Sequence, residues 1–254
     1  MSKILLISGH GQGDCGAVGN GYKEADLTRE FVNLIALELK KYATVEVYDQ
    51  SRNAFNDVKN GKFSVGKYDY ALEIHFNAFN GQAHGSEIYV TTRESGISVE
   101  QAIMKNIKKY FTLRDDDSIF DGVKRENFAV INTLKDKGIS GALLEVCFID
   151  NANDMKVYQE YKKDIAREIV VGIANGFGLK KKKTTKPKEV KLGSAVKVSK
   201  DATVGGLSYM RGQKVSTYLA SNVWTVKAFA THKGEREALL SCNTWVAVKY
   251  LTTK

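Results

Sequence analysis

The sequence predicts an α/β layer domain over residues 1–179, a basic linker over 180–191, and a small all-β barrel over 192–254. Three observations carry that prediction. Apolar runs of strand length alternate with longer stretches whose apolar residues recur at helical spacing, as in strands covered by helices. The alternation stops near Leu179, where a stretch with seven lysines and the only proline (Pro187) begins. Five short β-type runs follow, parted by Gly, Asn, Ser and Asp turns.

Taken in order, Ile4–Ile7 has the length and composition of a buried strand. Gly9 to Glu24 is a glycine-dense loop that opens with His10 and closes with Glu24. Ala25–Tyr42 reads as a helix, with Leu27, Phe31, Leu34, Ile35, Leu39 and Tyr42 on one stripe and Arg29, Glu30, Glu38, Lys40 and Lys41 off it. Glu24 stands at its start, where the helix dipole favours the ionised carboxylate a metal needs. Thr44–Tyr48 alternates as a strand. Residues 49–68 form a polar loop with room for a short helix, and Asp69–His75 is the next strand. His75 therefore falls at a carboxyl-terminal strand end, before the turn-like Asn77-Ala78-Phe79-Asn80-Gly81. Gly85–Thr91 reads as strand, Ser98–Phe111 as helix, and Asp115–Asp117 as a solvated loop. Phe128–Ile131 and Ala142–Phe148 read as strands and Asn153–Phe177 as a long helix. In the last module the β-type runs are Ala195–Val198, Lys214–Leu219, Val223–Phe229, Glu237–Leu240 and Trp245–Tyr250, with Trp224, Phe229, Trp245 and Tyr250 expected in the core. Tyr209 and Tyr218 are expected to be exposed stacking residues.

Charge divides the chain in the same way. Residues 1–179 sum to −3, residues 180–191 to +6 and residues 192–254 to +6. A mildly acidic front and a basic back suit modules with different partners. No apolar run is long enough to cross a membrane, and Met1-Ser2-Lys3 leads directly into a strand, so no secretory signal is expected. Three scattered cysteines (Cys15, Cys147, Cys242) imply no disulfide framework and fit reduced thiols. The letters Gly11-Gln12-Gly13-Asp14-Cys15-Gly16 match a dinucleotide loop, but no helical pattern begins there and Asp14 occupies the pyrophosphate's place.

His10, Glu24 and His75 are ordinary Zn²⁺ ligands at strand ends or adjoining loops, and Glu145 is an acid within an apolar run of the same sheet. Two imidazoles and one carboxylate leave a coordination position open, and a free carboxylate nearby can exchange protons with water. Composition alone does not select these four from 29 acids and four histidines; without further information a satisfied histidine is the commoner case.

A resemblance does select them. The matching blocks are Gly9-His10-Gly11 with Asp14 and Gly16, Glu24 opening a helix, His75-Phe76-Asn77-Ala78, Gly85-Ser86-Glu87, and Leu144-Glu145-Val146-Cys147-Phe148-Ile149-Asp150-Asn151. In this order they resemble the zinc-dependent N-acetylmuramoyl-L-alanine amidases of the type-3 family. The resemblance implies a mixed sheet flanked by helices, with zinc held by His10, Glu24 and His75 and Glu145 as catalytic acid/base. The implied substrate is the peptidoglycan amide between N-acetylmuramic acid and L-alanine. Cys147 departs from the commoner pattern as a distant thiol, and Asn77 is a further candidate contact.

An amidase without a leader, followed by a basic β-module, resembles a bacteriophage endolysin. Such an enzyme is held in the host cytoplasm until a holin opens the membrane. Its C-terminal module resembles an SH3-like cell-wall-binding domain, making peptidoglycan and associated wall polymers the expected partners. The charge also admits a nucleic-acid-binding protein, but the basic residues are confined to linker and tail, so no nucleic-acid partner is expected. A zinc peptidase acting on another wall amide is the nearer alternative. A proline-ligand SH3 domain would show an acidic aromatic groove that this basic segment lacks. His84 and His232 read as solvated.

Overall fold

A computed structural model describes residues 2–114, 122–182, 189–208 and 211–254. The Asp115–Asp117 run, Pro187 with its neighbouring lysines, and Tyr209 lie outside the described residues. The chain divides into two compact units, one ending at Lys182 and the other beginning at Lys183.

The first unit runs β1 (Lys3–Ser8), β2 (Val18–Gly19), β3 (Tyr22–Lys23), α1 (Glu24–Leu39), β4 (Thr44–Val47), α2 (Ala54–Lys59), β5 (Tyr70–Asn77), β6 (Glu87–Val90), α3 (Ser98–Ile107), β7 (Val123–Arg125), α4 (Ala129–Asp136), β8 (Ser140–Phe148) and α5 (Ala152–Gly176). Six strands form one mixed sheet in the order β4-β1-β5-β8-β6-β7. The first four are parallel; β6 runs antiparallel to β8, and β7 parallel to β6. Strand alternation sends Ile4 and Leu6 to one face and Leu5 and Ile7 to the other. Ile4 and Leu6 join Phe31, Ile35, Ile103 and Ile169 in the larger core. Leu5 and Ile7 pack with Ala54, Val130 and Leu134 in a smaller core beneath α2 and α4. Both faces are covered, as the near-continuous apolar strands require.

One expectation for this unit changes, and three short strands go beyond it. Phe128–Ile131 is no strand: only Phe128 is extended, and α4 begins at Ala129. Its buried Val130, Ile131 and Leu134 follow helical spacing, which a four-residue apolar window cannot separate from a strand. The β2–β3 hairpin and β7 are too short for periodicity to reveal. At the unit's end the Lys182 ammonium donates to the carbonyls of Lys40 and Ala43, so the start of the lysine run is taken up by the first unit.

The second unit contains β9 (Ala195–Val198), α6 (Thr217–Ser221), β10 (Val223–His232), β11 (Glu235–Leu240), β12 (Trp245–Ala247), a 3-10 turn (Val248–Tyr250) and β13 (Leu251–Thr253). These strands form an antiparallel five-stranded sheet ordered β12-β11-β10-β9-β13. The first residues of β10 pair with β9 and the rest with β11, with a register break between Val226 and Ala228. Lys214–Leu219 is no strand: the Ser216 hydroxyl accepts from the Leu219 amide and caps α6. The buried core is aliphatic, built from Val190, Val196, Val198, Leu219, Val226, Leu240, Val246 and Leu251. Trp224, Phe229 and Tyr250 pack against it only partly buried, and Trp245 is likewise partly exposed, so the aromatics edge this core rather than form it. Tyr218 is exposed and rests edge-on against Trp224. His232 is half-buried instead of solvated; a Cβ on Gly206 would meet its ring at 2.2 Å.

Candidate metal centre

The parallel strands β1, β5 and β8 end side by side, and the loop after β1 folds back over those ends. His10 sits in that loop, Glu24 is the first residue of α1, and His75 lies near the end of β5. Far apart in sequence, the three bring one donor atom each to within 4.8 Å of one another.

Glu24 is the hub. Its Oε2 lies 3.0 Å from His10 Nε2 and its Oε1 lies 3.0 Å from His75 Nδ1. The amides of Ala17 and Phe76 donate to the same two oxygens, at 2.9 and 3.0 Å. Each imidazole also faces an outer acid: His10 Nδ1 is 2.8 Å from Asp14 Oδ2, and His75 Nε2 is 3.3 Å from Glu73 Oε1. Asp14 is itself held by the Gly16 amide (2.9 Å) and the Asn53 side-chain amide (3.0 Å). An outer carboxylate behind a ligating histidine fixes ring orientation and tautomer.

Electrostatics in this pocket favour a cation. Burial alone would raise the Glu24 carboxyl, but the hydrogen-bonded His10 and His75 rings hold it far below the ordinary carboxylate range. Burial alone would lower both imidazoles; Glu24 with Asp14 for His10, and Glu24 with Glu73 for His75, instead raise them. The acids thus draw positive charge onto the rings, a charge that a divalent ion would supply directly. Space is reserved as well. A Cβ on Gly9 would stand 2.4 Å from the His75 ring, and one on Gly16 would stand 2.6 Å from Glu24 Oε2. Two half-buried imidazoles and one buried, ionised carboxylate, converging, fit Zn²⁺ and leave a coordination position free.

Glu145 lies on β8 directly beside His75 in register. Burial lifts its carboxyl to about 7; His75 opposes the rise, and Glu24, Glu87 and Glu73 reinforce it. Its Oε2 is buried without a hydrogen-bond partner among the described residues. A cavity of about 320 Å³ opens over these groups, lined by His10, Glu73, His75, Glu145 and the half-exposed Phe55 and Phe128.

The four expected site residues therefore meet in one place. Asn77 is not part of the cavity's lining: its side-chain amide donates to Glu87, which Lys124 also engages. Cys147 is fully buried in the larger core, with burial raising its thiol. Sequence reasoning missed Glu73, Asn53 and the role of Arg29. Glu73 was the accessible one, because a residue two before His75 in a strand shares its face.

Fold and site together define an α/β protein whose strand ends carry a metal-type donor set beside a half-buried acid. The chain belongs to the Amidase_3 family, N-acetylmuramoyl-L-alanine amidase, whose model matches residues 4–175. Among curated proteins it is 30% identical over 189 residues to "Probable autolysin PH" of Staphylococcus aureus, covering 66% of this chain and 38% of that protein. It is 32% identical over 189 residues to N-acetylmuramoyl-L-alanine amidase CwlM of Bacillus licheniformis, covering 71% of each. It is 29% identical over 197 residues to the endolysin of Bacillus phage SPP1, covering 72% of this chain and 69% of that one. Among solved structures, the catalytic domain of the CD27L endolysin targeting Clostridia Difficile shares the fold at TM-score 0.57 and 23% identity, over 69% of this chain and 98% of that one. The match spans well under half of the staphylococcal relative.

Proposed function

We propose that residues 1–179 form a zinc-dependent amidase that hydrolyses the bond between N-acetylmuramic acid and L-alanine in peptidoglycan. In this reading His10, Glu24 and His75 hold the ion and Glu145 is the acid/base. The observation that carries it is the convergence of those three donors within 4.8 Å, with Glu145 in register beside His75. When bound, zinc would polarise the scissile carbonyl and lower the pKa of water to about 7.

The chain's own groups supply the rest. Glu145, with a free oxygen and a proton affinity near neutrality, takes the proton of the attacking water as it adds to the carbonyl carbon. The same carboxyl then delivers that proton to the departing alanine nitrogen as the C–N bond breaks, leaving a lactyl carboxylic acid and a free amine; the acid's remaining proton passes to solvent or to the amine, giving carboxylate and ammonium. Asp14 and Glu73 keep the two rings aimed, and the phenyl walls of Phe55 and Phe128 limit water over the cavity.

The relationship to a phage endolysin supports a lytic role, with the chain accumulating in the host cytoplasm and reaching the wall after holin-type release. The antiparallel second unit, which contains residues 192–254, is then an SH3-like wall-binding module, with the basic stretch 180–191 as the connecting segment. Its excess of basic residues suits anionic wall polymers. Digestion of purified walls followed by end-group analysis tests the activity. New alanine amino termini are expected; new reducing sugars, or amino termini of other residues, would defeat the proposal.

A further inference from the structure

The loop that presents His10 is bent into a conformation that L-residues avoid. His10, Gly11 and Gln12 have φ of 60°, 100° and 48°. Consecutive left-handed residues persist only where their surroundings over-determine them. One side chain supplies much of that constraint. Arg29 of α1 donates from Nε to the Gln50 carbonyl at 2.9 Å. Its Nη1 donates to Ala25 at 2.8 Å and to Gly9 at 3.3 Å. Its Nη2 donates to His10 at 3.1 Å and to Arg52 at 3.3 Å.

A guanidinium has five N–H groups in a rigid fork. Here all five meet main-chain carbonyls, drawn from the His10 loop, the first turns of α1 and the segment before α2. The carbonyls of Gly9 and His10 turn toward the same cation, which fixes the peptide planes on both sides of the His10 Cα. Gly11 makes room for it: a Cβ there would stand 1.8 Å from Arg29 Nη2. The α1 segment that carries Arg29 begins with Glu24, so one helix supplies both the shared carboxylate and the clamp on the loop facing it.

We propose that Arg29 is a positioning residue for the metal centre: by locking the left-handed turn at His10 it aims that ring's Nε2 at Glu24 before any ion arrives. The inference rests on the metal reading of His10, Glu24 and His75. A lysine cannot substitute, because an ammonium offers three donors from one point and cannot span three segments.

The test strips the purified full-length chain of metal and titrates it with Zn²⁺ against a competing chelator. The parent, R29K and R29A are compared, with circular dichroism and urea unfolding of each metal-free form. The expected result is Zn²⁺ affinity reduced by roughly 10- to 100-fold in both variants, the loss typical when a ligand's supporting partner is removed. Cooperative unfolding should be retained, and millimolar guanidinium should restore much of the affinity of R29A but not of R29K, whose side chain fills the space. R29K binding Zn²⁺ as tightly as the parent would overturn the proposal, as would an R29A defect that guanidinium leaves untouched. Should R29A fail to fold, R29K alone decides. A parent that takes up no Zn²⁺ removes the metal reading and this inference with it; a parent that binds and an R29K that matches it removes the inference only.

Discussion

Replacing Glu145 by glutamine should destroy activity and yet make the metal-free protein more stable. The residue is half-buried with its Oε2 fully shielded, and burial raises the carboxyl from an ordinary 4.5 to about 7, with His75 opposing and Glu24, Glu87 and Glu73 adding to the rise. Because the folded value exceeds the unfolded one, the folded chain binds more protons between those two pH values. Stability therefore falls as pH rises through that window, and the whole penalty is present above about 7. At about 1.36 kcal/mol for each tenfold change in proton affinity, the penalty is roughly 3 kcal/mol. Glutamine has nearly the same shape and no charge to desolvate. Urea unfolding of metal-free parent and E145Q should show curves that converge near pH 4.5 and separate by roughly 3 kcal/mol by about pH 8, the variant being the more stable. With Zn²⁺ restored, E145Q should hold the ion and lose roughly 10²- to 10⁴-fold in rate, the range for a general acid/base. Curves offset equally at all pH values would refute the electrostatic argument, and an empty metal site in E145Q would refute the division of roles.

The other expectations can be checked on the same preparation. H10A, E24A and H75A should each lose bound zinc by elemental analysis together with wall lysis. G16A should lose zinc although it replaces no ligand, since its Cβ would stand 2.6 Å from Glu24 Oε2 and 2.7 Å from the His10 ring; zinc-replete G16A would show that the cradle is looser than described. In the zinc-loaded enzyme the acid limb of the pH–rate profile should fall below the value of about 7 found for Glu145 in the metal-free chain, because a nearby dication favours the carboxylate. Deleting residues 192–254 should weaken attachment to walls while hydrolysis of soluble muropeptides continues; undiminished attachment would remove the binding role of the second unit.

Much of this was legible in the sequence, for identifiable physical reasons. A glycine-dense loop between an apolar strand and an amphipathic helix points to a strand-end site, while the resemblance, not the pattern, singles out His10, Glu24, His75 and Glu145 as a set. Strand periodicity puts His75 at a carboxyl-terminal strand end. The errors fell where local chemistry overrides pattern. The run Phe128–Ile131 is β-like by composition, and only the spacing out to Leu134 reveals α4. A single capping hydroxyl at Ser216 turns a β-like stretch into α6. The aromatics of the second unit read as its core, yet small aliphatics fill it. Arg29 was least legible: helical periodicity puts it on the solvent side, and nothing in the local sequence records the carbonyls of Gln50 and Arg52 that complete its five bonds.

The most direct trial of the whole account is a zinc titration of the metal-stripped chain acting on purified walls, read as alanine amino termini released. Release should climb in proportion to added zinc, level off at one ion per chain, and yield no reducing ends. Equal release before any zinc is added, or products with free reducing sugars, would contradict it.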